Sequence, residues 1–403
     1  MSYTVLARRY RSTSFDGVVG QRPIARTLAA AIEQDRVAHA YLFSGTRGVG
    51  KTSMARLFAD ALNNPDRDER IGAAIMSGQD TDVIEIDGAS NNSVNEAREL
   101  IDGSVYSPMR GHYKIYIIDE VHMLSTAAFN ALLKTMEEPP EHVKFVLCTT
   151  EPHKVPATIQ SRCQRFDFRN IPAADIAAHL REILSNESIE AEPELIDSVA
   201  RLGNGSMRDA LSLLDRLIAS GETRLTLELL EELLGLPKRQ LLGTLIDAFA
   251  AGDPAAALET AAALLDDGTA LDQLIESLLD RMRDLLVLRT CGDATPLVEL
   301  SGDTRKEETD RARPFEPAGL VHMIALAENV QRSLKSSSAP RALFDAMMVR
   351  LAVTEHIAEA AALAAGKPAG KPASPPAGKP AGQPTEKPDP QAPARSETGP
   401  KKA

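Results

Sequence analysis

The first 170 residues alternate short apolar runs with amphipathic stretches. Short runs rich in β-branched and aromatic side chains are typical of strands that are buried on both faces. Four such runs lie at 41–44, 83–86, 115–118 and 143–148. Because stretches with helical spacing separate them, the pattern predicts an α/β fold in which helices flank a parallel sheet.

From 172 onward the strand-like runs disappear, and Leu and Ala recur with a spacing near 3.6 residues, as at 225–236 and 270–288. The tripeptide Gly235-Leu236-Pro237 predicts a boundary between a small helical domain and a longer one. The end of the chain is dominated by Pro, Ala, Gly and Lys, which predicts a disordered tail. The predicted domains are therefore 1–170, 171–236, 237–362 and 363–403.

The first strand candidate runs directly into a glycine-rich loop that fits the pattern G-x-x-x-x-G-K-[ST]. Such a loop turns successive backbone N–H groups toward phosphates, and the N-terminus of the next helix adds its dipole. An amphipathic run at 53–62 supplies that helix, which distinguishes the loop from an ordinary Gly-rich turn. Lys51 would reach the β- and γ-phosphates of a nucleotide, and Thr52 would hold Mg²⁺. The predicted nucleotide-binding residues here are Gly45, Thr46, Arg47, Gly48, Val49, Gly50, Lys51, Thr52 and Ser53.

The strand candidate at 115–118 ends in two acids, Asp119 and Glu120. The carboxyl end of a parallel strand would place them beside the phosphate loop. Asp119 suits a partner for Mg²⁺. Glu120 suits a base that orients the attacking water, provided that it turns out of the strand, because adjacent strand residues point to opposite faces. Two acids at the end of a strand are often simply solvated. Because a phosphate loop precedes them in this sequence, Asp119 and Glu120 favour nucleotide hydrolysis over passive nucleotide binding.

The cysteine positions, the lack of long apolar stretches and the net charge argue against several classes of protein. The three cysteines, Cys148, Cys163 and Cys291, lie far apart without C-x-x-C spacing, which argues against a disulfide framework or a thiolate metal site. The sequence shows neither a secretion signal at its start nor an apolar stretch of about 18 residues, so we expect a cytoplasmic protein with no membrane partner. A net charge of -12 argues against indiscriminate coating of nucleic acid but leaves a DNA partner possible.

Several motifs together resemble the clamp-loader branch of the AAA+ ATPases, specifically the bacterial DNA polymerase III gamma/tau family. The resemblance covers about 3–217 and is carried by Tyr10-Arg11, Phe15, Val19-Gly20-Gln21, Asp119-Glu120-Val121-His122-Met123-Leu124-Ser125, Phe129-Asn130-Ala131-Leu132-Leu133-Lys134, Glu137-Glu138-Pro139-Pro140, Cys148-Thr149-Thr150-Glu151-Pro152, Ser161-Arg162-Cys163 and Gly205-Ser206-Met207-Arg208-Asp209-Ala210. It implies an AAA+ core at 1–170, a helical lid domain at 171–236 and a helical oligomerisation collar at 237–362.

The resemblance also implies roles for individual residues. The adenine pocket would be lined by Tyr10, Arg11, Val19, Gly20 and Gln21. Either Thr149 or Thr150 would sense the γ-phosphate. Arg208 would begin a lid helix, and Arg162 would act in trans on ATP bound by a neighbouring subunit. The remaining catalytic assignments are Lys51 and Glu120, with Mg²⁺ held by Thr52 and Asp119.

One departure from the family concerns zinc. The gamma/tau family typically carries a cysteine-ligated zinc module before its second strand, whereas 63–82 contains neither Cys nor His. Cys and His are the usual ligands of structural zinc. We therefore predict ATP and Mg²⁺ but no zinc.

The leading hypothesis is an ATP-hydrolysing subunit of the replicative clamp loader. ATP binding would open and load the sliding clamp on primer-template DNA, and hydrolysis would release it. The implied partners are clamp-loader subunits of the delta and delta-prime types, the clamp and the polymerase III core, in a homo- and hetero-oligomer. Two alternatives are another AAA+ DNA motor, such as a Holliday-junction branch-migration helicase, and a non-catalytic nucleotide-binding scaffold.

Overall fold

A computed structural model describes residues 4–295, 297–298, 300 and 302–364. Its central element is a five-stranded sheet in the order β2-β3-β4-β1-β5, in which every neighbouring pair is parallel. This confirms the predicted α/β fold with a parallel sheet. The strands are β1 (Ala40–Ser44), β2 (Val83–Asp87), β3 (Lys114–Asp119), β4 (Val143–Thr149) and β5 (Gln164–Asp167).

Helices cover both faces of the sheet, which explains why the strands read as continuous apolar runs. Tyr41 and Phe43 of β1 belong to the hydrophobic cluster on one face, together with Phe58 of the helix that follows the phosphate loop. Leu42 belongs to the cluster on the other face, with Leu132. The helices of this region are α1 (Leu6–Arg9), α2 (Arg22–Glu33), α3 (Lys51–Asn63), α4 (Glu69–Ser77), α5 (Val94–Ser104), α6 (Thr126–Glu137) and α7 (Ala157–Gln160).

The segment after α3, within the stretch 63–82 that contains neither Cys nor His, is held by a polar network. Asn64 is 5% exposed. Its amide donates to Asp60 at 2.9 Å and to the Asp68 carbonyl at 3.0 Å, and it accepts from the Asp68 N–H at 2.8 Å. Asp68 then caps α4 by accepting from the N–H groups of Arg70 and Ile71. One buried side chain thus closes the turn that starts this helix.

Four helices form a second layer with its own hydrophobic core, which also includes Leu6 of α1. They are α8 (Ala173–Glu187), α9 (Pro193–Leu202), α10 (Met207–Ile218) and α11 (Leu227–Leu234). The expectation that strands disappear after 172 was wrong in one detail. A two-residue parallel pair, β6 (Glu190–Ala191) and β7 (Arg224–Leu225), links α8 to α11. Two residues are too short to show a period of two.

The remaining described part of the chain contains six helices, in keeping with the helical prediction, and their apolar faces form a third hydrophobic core. Their helices are α12 (Arg239–Ala251), α13 (Pro254–Asp266), α14 (Leu271–Cys291), α15 (Gly302–Ala312), α16 (Pro317–Leu334) and α17 (Pro340–Ala364). Gly235 ends α11 with a φ of 62°, at the tripeptide expected to mark a boundary. The four domain limits stay predictions, and the predicted disordered tail lies almost wholly outside the described residues. Every helix in the described residues is too short, too polar or too highly charged to span a bilayer.

Candidate nucleotide site

The phosphate loop joins β1 to α3, and Lys51 is the first residue of that helix. The Lys51 side chain folds back on the loop, where its Nζ donates to the carbonyls of Gly45 at 2.8 Å and Thr46 at 2.7 Å. The residue is 6% exposed, and burial lowers the pKa of its ammonium group. The ammonium thus sits among loop carbonyls, from which it can move to a phosphate without first being stripped of bulk water.

Thr52 and Asp119 meet at the carboxyl end of the sheet. The Thr52 hydroxyl donates to Asp119 Oδ2 at 2.7 Å. Among the residues that the structure describes, no group of three or more His, Cys, Asp or Glu side chains is arranged to hold a metal ion. Mg²⁺, however, commonly takes only one or two protein oxygens and fills its other positions with phosphate and water. The hydroxyl and carboxylate therefore fit Mg²⁺ in the presence of a nucleotide.

Glu120 turns out of the strand as soon as β3 ends. Its φ of 43° and ψ of 45° place it in the left-handed region, and a short 3₁₀ turn, Val121–Met123, follows. The carboxylate is held by the end of the neighbouring strand, where Glu120 Oε2 accepts from the Thr150 hydroxyl at 3.0 Å and from the Thr150 N–H at 3.3 Å. Two of the predicted site residues are therefore in direct contact. The next residue back, Thr149, is fully buried.

The second helical layer touches the phosphate loop through the start of α10. Ser206 caps this helix by accepting from the Asp209 N–H at 3.2 Å. The backbone N–H of Arg208, the second residue of α10, donates to the Gly48 carbonyl at 3.5 Å. A Cβ on Gly48 would lie 1.9 Å from Ser206 Oγ. The helix predicted to begin near Arg208 thus starts directly against the loop.

The segments expected to line an adenine pocket join the sheet region to the second layer. Tyr10 and Val19 pack against the hydrophobic core of that layer. The Tyr10 hydroxyl donates to the Glu187 carboxylate, which raises the pKa of the phenol. Gln21 is 2% exposed and donates to the Arg169 carbonyl at 2.7 Å.

Gly20 and Arg11 are the other two residues predicted to line the adenine pocket. Gly20 has a φ of 77° and lies against Ile171. Arg11 lies near enough to Arg208 to feel its charge, and burial, followed by the repulsion of Arg56, lowers the Arg11 pKa. The segments that carry these residues therefore lie where the sheet region and the second layer join, and their role in adenine binding stays a prediction.

Within the described residues, the contacts of the Arg162 side chain lie away from the phosphate loop of its own chain. Its guanidinium donates to Glu137 at 2.6 Å and to the Thr158 carbonyl at 2.6 Å. The side chain is 32% exposed. A third, longer hydrogen bond runs to Ser161 Oγ at 3.5 Å, so Arg162 is anchored on its own subunit and still reaches the surface.

Three family models match successive parts of this chain. They describe the DNA polymerase III delta subunit (20–172), the DNA polymerase III clamp loader subunit ATPase lid domain (175–223), and domain III of DNA polymerase III subunits gamma and tau (225–365). The DNA polymerase III subunit gamma of Buchnera aphidicola is 44% identical over 255 residues, which are 62% of this chain and 71% of that protein. The chain belongs to the DNA polymerase III gamma/tau family.

Longer members of the gamma/tau family match more of the chain. The DNA polymerase III subunit tau of Bacillus subtilis is 40% identical over 369 residues, or 89% of this chain and 65% of that protein. The subunit tau of Escherichia coli is 44% identical over 293 residues, or 71% of this chain and 45% of that protein. The chain therefore spans between about half and two thirds of the length of these two relatives.

Sequence reasoning missed several residues around the site of this gamma/tau chain. Ser206 was recoverable, because a Ser followed three residues later by Asp209 is a helix-start signal. Glu187 and Asn170 carried no such signal. Glu187 is 177 residues from Tyr10 along the chain, and Asn170, which accepts from the Thr46 hydroxyl at 2.6 Å, is 124 residues from its partner. Such contacts depend on how the layers pack.

Proposed function

We propose that this chain is an ATP-hydrolysing AAA+ subunit of the bacterial replicative clamp loader. It would use ATP binding to open and load the sliding clamp on primer-template DNA, and hydrolysis to release the clamp. The observation that carries this proposal is the 2.7 Å hydrogen bond between Thr52 and Asp119, with Glu120 turned out of the strand beside them. A phosphate loop alone would serve a nucleotide-binding scaffold equally well, but a scaffold does not need the second carboxylate.

Each of these side chains has a defined task in the proposed reaction. Lys51 leaves the loop carbonyls and binds the β- and γ-phosphates. Thr52 and Asp119 would hold Mg²⁺, which neutralises charge on the same phosphates. Glu120 orients the attacking water, and the hydroxyl of Thr150 or Thr149 reports whether the γ-phosphate is present. Arg208 adds positive charge from the lid helix that begins against the loop.

Arg162 would complete the site of a neighbouring subunit. A guanidinium supplied across an interface stabilises charge on the transferring phosphoryl group and makes hydrolysis conditional on assembly. The partial exposure of this side chain is compatible with such a contact. We propose that the helices from α12 to α17 form the oligomerisation collar. The other partners would be clamp-loader subunits of the delta and delta-prime types, the sliding clamp, primer-template DNA and the polymerase III core.

The test is ATP turnover by the full chain, first alone and then with the two companion subunits, the clamp and primed DNA. We expect strong stimulation by the complete mixture and its loss in Lys51→Ala. The Glu120→Gln variant should still bind ATP but not hydrolyse it. Turnover that is equally high without clamp and DNA would contradict the clamp-loader assignment, and normal turnover by Glu120→Gln would contradict the assigned chemistry.

Mixed assemblies test the role of Arg162 in trans. An Arg162→Ala subunit keeps its own ATP site, and a Lys51→Ala subunit keeps its arginine, so neighbours of the two kinds form some complete sites. We expect each variant alone to be inactive and the mixture to recover part of the turnover. Arg165→Ala is the matched control, because Arg165 is also a partly exposed, ion-paired arginine. A mixture no more active than its components would exclude action in trans.

A further inference from the structure

His122 lies between the ends of two strands at the nucleotide site. It follows β3 in the 3₁₀ turn, and its side chain is only 8% exposed. Its Nδ1 is 3.1 Å from Thr149 Oγ1, at the end of β4, and 3.4 Å from Glu120 Oε2. On the other side of the ring, Nε2 is 3.6 Å from Glu151 Oε2. One imidazole therefore contacts three polar side chains from two strand ends.

These contacts converge on one oxygen of Glu120. Oε2 faces His122 Nδ1 and also accepts from the hydroxyl and the N–H of Thr150. Because His122 and Thr150 hold Oε2, the Glu120 carboxylate can rotate only over a small range, and its other oxygen is confined to a small region. A base that must align a water with a phosphorus atom needs such confinement, because small displacements of reacting groups cost large factors in rate.

The Thr149 hydroxyl belongs to the same unit. Its Oγ1 accepts from the Glu151 N–H at 3.0 Å, and the hydroxyl can still donate to Nδ1 or accept from it. The contact therefore persists in either tautomer of the imidazole. Because Thr149 is fully buried at the end of β4, a shift of this strand would be transmitted through His122 to the carboxylate of Glu120.

We propose that His122 is a positioning residue that couples the end of β4 to the carboxylate of Glu120. This inference rests on the proposed function, in which Glu120 orients the attacking water. His122 contacts neither the nucleotide nor the water in this account. It acts by holding the base and the Thr149 hydroxyl in one arrangement, and so we expect it to affect turnover and not nucleotide affinity.

Three variants separate positioning from simple packing. The amide nitrogen of Asn can occupy the place of Nδ1, that of Gln can occupy the place of Nε2, and Ala supplies neither. In the assembled complex with clamp and primed DNA, we expect His122→Ala and His122→Gln to lower kcat by about 10- to 100-fold. His122→Asn should recover most of that loss, and the Kd for ATP should stay nearly constant in all three.

His142→Ala is the matched control, because His142 is another histidine with a hydrogen bond to its own chain and precedes the opposite end of β4. It should leave both kcat and Kd unchanged. Equal losses for the Asn and Gln variants of His122 would overturn the inference, as would an unchanged kcat in His122→Ala. Glu120→Gln is measured in parallel. Normal turnover by Glu120→Gln would contradict the proposed function itself. An inactive Glu120→Gln together with a fully active His122→Ala would refute only the role of His122 in positioning Glu120.

Discussion

Replacing Gly48 by Ala should break the contact between the phosphate loop and the lid helix. Gly48 has a φ of 77°, which residues with a Cβ rarely adopt. The added Cβ would lie 1.9 Å from Ser206 Oγ and 3.2 Å from Arg208 Cβ. Ser206 is 5% exposed, so it cannot simply swing into solvent.

Two terms set the size of the effect. Holding Ala in a left-handed conformation costs about 1–2 kcal/mol. Displacing the Ser206 hydroxyl removes the cap of α10, which costs about 0.5–2 kcal/mol. We therefore expect the loop in contact with the lid to be destabilised by about 1.5–4 kcal/mol, which corresponds to roughly 12- to 700-fold weaker nucleotide binding.

The assay is titration of the full chain with a fluorescent ATP analogue, combined with hydrogen exchange at the amides of the first turn of α10. Gly48→Ala should weaken binding and lower the protection of those amides. The double variant Gly48→Ala/Ser206→Gly removes the collision but keeps the backbone strain, so it should recover part of the affinity and remain about 5- to 30-fold weaker than the unaltered protein. Ser206→Gly alone is the control, because Gly is nearly as good a cap as Ser.

Two results would refute this reasoning. Unchanged binding by Gly48→Ala would show that the loop does not need the left-handed conformation. Equal binding by the single and double variants would show that Ser206 does not press on the loop. Either result would remove the direct link between the lid helix and the phosphate loop.

Three further predictions concern the surroundings of the site. Asp82 is 1% exposed and accepts three backbone N–H groups at 2.7–2.8 Å. Burial raises the pKa of its carboxyl group, but the three hydrogen bonds outweigh burial, so the pKa is lowered. The carboxylate therefore stabilises the folded protein above a pH of about 3.8, and this stabilisation should be lost as the pH falls further. Melting curves should show Asp82→Asn lowering Tm at pH 7, with a difference from the unaltered protein that shrinks in acid. A Cβ on Gly88 would lie 2.8 Å from the backbone carbonyl oxygen of Glu120, so Gly88→Ala should displace Glu120 and lower kcat. Gly72→Ala is the control and should leave kcat unchanged, because its Cβ would have no contact shorter than 3.4 Å. Equal kcat values for the two variants would contradict a steric clash between residue 88 and Glu120. Asn64→Ala should lower Tm because the N–H and C=O groups of Asp68 lose their side-chain partner, and each lost hydrogen bond costs about 0.5–1.5 kcal/mol. A zinc chelator should leave Tm unchanged, and a Tm that falls on chelation would point to a metal instead.

The sequence alone determined the elements whose signals are local. A strand buried on both faces must be apolar throughout, and so the three inner strands, β1, β3 and β4, were readable as apolar runs. The edge strand β2 is less buried, and it was readable because Val83, Ile84 and Ile86 are β-branched. The fifth, β5, has three exposed positions out of four at the sheet edge and carried no such signal. The phosphate loop was readable because its chemistry lies in consecutive residues. The sequence did not predict that Glu120 turns out of its strand; it indicated only that Glu120 must do so in order to act as a base.

Only the tertiary structure decided which distant side chains meet. Ser206 presses on Gly48, and the Tyr10 hydroxyl binds Glu187, because the helical layers pack against the sheet in one particular way. His122 and Thr149 are 27 residues apart and meet because β3 and β4 are neighbours in the sheet. A single chain carries no periodic pattern for such pairs, since hydrogen bonds between side chains constrain distance in space and not spacing in sequence. Packing therefore selected the partners, while local residue patterns had already selected the strands and the loop.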